Sequence, residues 1–127
     1  MSIPGPSARR RLLIEAVVVV AAEPSAQVAW LEKYKVAPDE IALGFDDAFP
    51  LAGRLVEEGH LDRSALPCLQ SIDEVFVEMA QDVGVDRWTR AALFTDMGWA
   101  RARRLARDVL ASEGEGDAPL PDICVIR

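Results

Sequence analysis

Apolar residues recur along most of this chain at intervals of three and four, the period of a helix that buries one face. The pattern is clearest over 96–111. There Trp99, Ala102, Leu105, Ala106, Val109 and Leu110 share one sector, and Arg101, Arg103, Arg104, Arg107 and Asp108 fill the other. Thr95 is placed to cap this helix, with Asp96 behind it. Leu66, Leu69, Ile72, Phe76 and Met79 predict a second helix, opened by Asp62 or Ser64 and running to about Ala80. Its Asp73, Glu74 and Glu78 lie on other faces.

Between Ile41 and Gly59 the same spacing links Ile41, Phe45, Ala48, Ala52, Leu55 and Val56, but Pro50 interrupts it. A helix running through would lose the bond to the Asp46 carbonyl and kink. Alternatively the chain breaks near Gly44, and Asp46 or Asp47 caps a new helix with Pro50 in its first turn. Gly59 closes the element either way. Two shorter helices are predicted. One is Ala26–Tyr34, capped by Ser25, with Val28, Leu31 and either Trp30 or Tyr34 inward. The other is Arg87–Phe94, capped by Asp86, burying Trp88, Ala92 and Leu93.

Leu12–Ala22 is ambiguous. Val17–Val20 are β-branched and favour a strand, whereas Leu12, Leu13, Ala16, Val19 and Val20 fit a helix face. The flanking Arg, Leu, Glu and Ala residues tip the reading to helix. Arg9–Arg11 before this apolar run resembles an export signal, but Glu15 interrupts the run and its 11 residues fall short of a membrane span. Met1–Ala8 reads as a loose start and Ser112–Pro119 as a flexible acidic linker. Ile123–Ile126 is an apolar end that either docks in a groove or pairs as a small strand. The expected fold is therefore all-α: a compact irregular bundle of five or six short helices over 9–111, between a flexible N-terminus, 1–8, and a tail, 112–127. Trp30, Trp88 and Trp99 are its expected anchors, each partly buried.

Composition changes this picture little, and charge changes it more. The 127 residues are 50% hydrophobic and 28% charged, which is ordinary for one globular domain. The formal charge of −7 disfavours nonspecific binding to nucleic acid or anionic membrane. Residues 32–96 hold 6 basic against 14 acidic side chains, a balance of −8, whereas 97–111 hold 4 against 1, a balance of +3. An acidic surface around Asp46, Asp47, Glu57, Glu58, Asp73, Glu74 and Glu78 is thus the candidate site for a basic partner. Arg101, Arg104 and Arg107 are the alternative, a phosphate-binding face for a regulator or nucleic-acid-associated protein.

Catalytic chemistry is not apparent. His60 is the single histidine and follows the helix-ending Gly59. No glycine-rich phosphate loop precedes a helix, and no nucleophile has a recognisable partner. Cys68 and Cys124 lack metal-ligand spacing and read as free thiols, although a disulfide between them is open. The expectation is a protein that is not an enzyme, with no cofactor, no metal and no membrane association. Its oligomeric state is open.

The spacing Trp88-Thr89, Ala92-Leu93, Asp96, Trp99, Arg103, Leu105-Ala106 and Leu110 follows Phe45-Asp46-Asp47, Ile72-Asp73 and Glu78-Met79. Together these positions resemble a group of small actinobacterial helical proteins, similar in size and make-up to the immunity proteins that neutralise secreted bacterial toxins. The resemblance covers most of Glu23–Ala111 and assigns no functional residue. It implies a cytoplasmic, non-enzymatic, immunity-like protein-binding module.

Overall fold

The computed structural model describes residues 5–121. The elements are α1 (Pro6–Ala21), α2 (Pro24–Tyr34), α3 (Asp39–Ala48), α4 (Ala52–Glu57), α5 (Ala65–Gln81), α6 (Arg90–Thr95) and α7 (Met97–Ser112), with a 3-10 turn, Phe49–Leu51, between α3 and α4. Because α3, that turn and α4 follow one another without a gap, the described residues form six helical units, and no strand occurs among them. The Ile123–Ile126 end and Cys124 lie outside the described residues.

The ambiguous stretch is helical, and its surroundings explain why. Val17, Val18, Val19 and Val20 are at most 6% exposed, so α1 is wrapped on all sides in its second half. Burial of each such side chain contributes about 1.5–3 kcal/mol, which outweighs a propensity difference of tenths. Helix α1 also begins at Pro6, inside the stretch expected to be loose. Its C-terminus lacks a glycine and ends in extended backbone at Ala22. Four successive carbonyls there are met by side chains from elsewhere. Gln27 Nε2 donates to Val19 O at 3.0 Å and Val20 O at 3.2 Å. Arg107 Nε donates to Ala21 O at 3.0 Å, and Arg103 Nε to Ala22 O at 2.9 Å. Helix ends need such partners, and cations suit the negative end of the helix dipole.

Helix α7 is the second organiser, packed against both α1 and α5. Its buried sector, Trp99, Ala102, Ala106, Val109 and Leu110, matches the pattern, with Leu105 half-buried. Three starts differ from expectation. Asp96 caps α7 by accepting Gly98 N–H at 2.7 Å, while Thr95 closes α6 through a bond to Ala91 O. Thr89, not Asp86, caps α6, accepting Ala92 N–H at 3.1 Å, so Trp88 sits in the preceding loop. Ser25 lies within α2, where Pro24 takes the first position and Glu23 precedes it.

Pro50 lies in the 3-10 turn of a rod whose backbone stays right-handed helical at Ala48, Phe49, Leu51 and Ala52. Phe49 N–H still reaches Phe45 O, and Ala52 N–H bonds Phe49 O in the tighter 3-10 manner. The rod therefore continues past the missing Pro50 amide, and neither Asp46 nor Asp47 caps anything. Gly59, at φ 80°, ends it: Gly59 N–H bonds Val56 O and His60 N–H bonds Leu55 O.

Residues 112–121 are held down. Gly114, at φ 72°, closes α7 in the same way. Glu113 accepts Arg10 Nη2 at 3.2 Å and Asp62 N–H at 3.1 Å. Pro121 O accepts Trp30 Nε1–H at 2.8 Å. No single described helix is long and apolar enough to cross a membrane.

Candidate partner-binding groove

Five aromatic rings form a connected cluster. Phe49 stacks on Phe45 at 5.6 Å, Phe45 meets Phe76 edge-on at 5.9 Å, and Phe76 touches both Trp88 (6.2 Å) and Trp99 (5.4 Å). Trp99 is fully buried and Trp30 is 8% exposed, deeper than expected, whereas Trp88 is partly buried, as expected. Where this cluster reaches the surface between α3 and α5 it becomes the floor of an open groove of about 400 Å³. Phe45, Phe76 and Trp88 form the base, Ala42, Leu43, Val77 and Ala80 the walls, and Asp39, Asp46 and Asp73 the rim. Leu43 and Val77, 48% and 46% exposed, are two large apolar side chains bordering the same concavity.

The three rim carboxylates have no ion-pair partner among the described residues. Asp46 and Asp73 are electrostatic neighbours at one end. Burial against the apolar wall, then the nearby Asp46 and Glu74, hold the Asp73 carboxyl above its ordinary value. Asp39 marks the other end, seven residues before Asp46 on α3 and so on the same helix face.

The partly buried Trp88 is fixed from behind. Its own amide donates to Asp86 Oδ1 at 2.9 Å, and Trp99 Nε1 donates to the neighbouring Arg87 carbonyl at 2.9 Å. The Arg87 guanidinium forms a two-pronged pair with Asp96, at 2.8 and 3.0 Å. That hydrogen bonding, helped by the Gly98 amide and opposed by burial, holds the Asp96 carboxyl below its ordinary value. Gly98 leaves room for this arrangement: a Cβ there would lie 2.7 Å from Arg87 Nη2 and 2.9 Å from Asp96 Oδ1 and Met79 Sδ, so those side-chain ends would have to shift.

The seven acids of the expected surface do not form one patch. Asp46 and Asp73 meet at the groove with Glu74 beside them. Asp47 is exposed but does not line it. Glu57 is exposed at the end of α4. Glu58 is engaged by Arg9 at 3.2 Å and by Arg54 at 2.9 Å. Glu78 turns the other way, 3.9 Å from Arg87. Asp39, Leu43 and Val77 were not singled out by the sequence reading as site residues. The signal present was the seven-residue interval from Asp39 to Asp46 with Leu43 between them, hidden by Asp39's obvious role as a first-turn acid.

The arginine face is also divided. Arg107 is bound to Ala21 O and to Glu23 at 2.7 Å. Arg103, expected on the outer face, turns inward to Ala22 O, Gln27 Oε1 and Leu93 O. Burial, then the neighbouring Arg107, pulls its pKa below the usual arginine range. Only Arg101 and Arg104 of the proposed phosphate-binding trio stay exposed without a described partner, and they share their surface with Glu78. Among the described residues no group of three His, Cys, Asp or Glu side chains could hold a metal ion. No family model matches the chain, and neither a curated protein nor a solved structure is significantly similar to it.

Proposed function

We propose that this chain is a non-enzymatic, immunity-like protein-binding module that works in the cytoplasm and presents its acidic groove to a basic protein partner. One observation carries the reading: an apolar groove with an aromatic floor is rimmed by three carboxylates, Asp39, Asp46 and Asp73, that have no ion-pair partner among the described residues. Apolar walls supply area that leaves water on contact, and the acids select and steer a basic partner. The net charge of −7 works in the same direction over longer range. The division of the arginine face favours this reading over phosphate binding, since Arg107 already serves the fold.

The test is affinity purification from the native host with three baits. The wild-type chain is expected to retain a basic protein that dissociates as salt is raised. Asp39→Lys/Asp46→Lys/Asp73→Lys is expected to lose it, while Glu57→Lys/Glu58→Lys, which lies off the groove, keeps it. Retention of the same partner by the groove variant overturns the assignment.

A further inference from the structure

We infer that the groove's occupant is an amphipathic helix carrying two basic side chains seven residues apart, with two apolar residues between them at the third and fourth positions after the first. This deepens the proposed function and rests on it. From the shared Asp46/Asp73 end, α3 runs back to Asp39 and α5 runs forward to Ala80, each over seven residues. At 1.5 Å per residue both walls are about 10.5 Å long, two turns of a helix. A partner helix of two turns places positions i and i+7 over the two ends and i+3 and i+4 over the middle. The middle is where exposed Leu43 and Val77 face the gap and Phe76 and Trp88 form the floor. Strand-like occupants fit less well, because α3 and α5 offer no unpaired backbone edge to pair with.

The two ends differ, and that sets a direction. One end holds Asp46 and Asp73 with Glu74 adjacent, whereas the other holds Asp39. A helix is positive at its N-terminus by roughly half an elementary charge. The occupant's N-terminal basic residue therefore sits at the Asp46/Asp73 end and its C-terminal one near Asp39. The doubled carboxylates also suit a two-pronged guanidinium at the first position better than an ammonium.

The probe is a synthetic helix, held by a lactam bridge on its outer face, with the repeat Arg-x-x-Leu-Leu-x-x-Lys. Binding is read from tryptophan fluorescence, with Trp88→Phe identifying the groove signal. A peptide of the same composition, scrambled to break the spacing, is the comparison. The patterned peptide is expected to bind at least tenfold tighter than the scrambled one. Asp46→Lys is expected to cost at least tenfold and to be rescued by Glu in place of the peptide's Arg, but not by Glu in place of its Lys. Equal binding of both peptides overturns the helical register while leaving an acidic docking surface standing. Rescue by the Lys position overturns the direction. Failure of both peptides at low salt, with the circular dichroism of every variant unchanged, overturns the occupant and the groove assignment together.

Discussion

Arg103 shows how one side chain can leave the class its sequence position suggests. A helix wheel puts it among solvated arginines, yet its guanidinium bonds two backbone carbonyls and Gln27 Oε1. Gln27, which is 0% exposed, in turn spends its amide nitrogen on Val19 O and Val20 O. Truncating Arg103 strands several buried acceptors at once, each costing about 1–3 kcal/mol when left unpaired. Arg103→Met is therefore expected to lower unfolding free energy by about 3 kcal/mol in urea titrations, allowing for partial replacement by water. Exposed Arg104→Met, one residue away, is expected to change it by less than about 0.5 kcal/mol. Similar losses for both would remove the capping role assigned to Arg103.

Helix ends decide much at the scale of elements. Two ends use glycine at positive φ, Gly59 and Gly114, but α2 ends with Lys35 at φ 54°. Val36 N–H reaches back to Leu31 O there, so the backbone shape is the one glycine favours. Lys35→Gly is expected to stabilise the protein by about 0.5–1 kcal/mol, seen as a higher midpoint of thermal unfolding. A lower midpoint would show that the lysine side chain contributes more than its strain costs. Element type was largely legible in the sequence: α5, α7 and the rod from α3 to α4 follow their apolar periods, and the core residues Phe45, Leu69, Ile72 and Trp99 sit where the spacing puts them. Starts were less legible. Thr95 and Asp96, and likewise Asp86 and Thr89 three residues apart, offer competing capping residues of nearly equal preference, and tertiary contacts such as Arg87 to Asp96 decide between them. The groove was half legible, because periodicity marks what is buried on α3 and α5 but not how closely the two helices approach. Inward arginines were the least legible, since an exposed-looking position turns inward only to satisfy carbonyls at the end of a helix far away in sequence.

Across the whole molecule the charges are unbalanced, and the groove concentrates the imbalance. Asp73 carries a cost that depends on pH. Its folded carboxyl titrates above the ordinary value of 3.8, so the folded state binds that proton more tightly than the unfolded chain does. Ionisation of Asp73 therefore costs stability at neutral pH, and the cost fades as pH falls from its folded value to below the ordinary 3.8. Asp96 behaves oppositely. Its depressed pKa supports the fold above the ordinary carboxylate range and loses that support as pH falls through the lower folded value. Asp73→Asn is expected to be more stable than wild type at pH 7 by less than about 1 kcal/mol, with the gap closing as pH drops toward the ordinary carboxylate range. A gap that stays constant or widens on acidification would contradict the groove environment assigned to Asp73. The same substitution removes one rim charge, so greater stability and weaker capture of a basic partner should arrive together.

The closure of α1 by residues of α7 has a consequence for synthesis. The chain's first long helix is completed by Arg103 and Arg107, bonding to carbonyls 81 and 86 residues earlier. Until those arginines leave the ribosome, the end of α1 can be met only by Gln27 and water, while its valine-rich half has no α7 to cover it. A ribosome adding roughly 5–20 residues per second leaves the α7-facing side of that segment uncovered for several seconds, although α3 and α4 are made earlier and pack on its other side. During that interval the valine side chains that α7 covers in the finished fold stay in water or against earlier parts of the chain, so α1 gains its full burial only once α7 has been made.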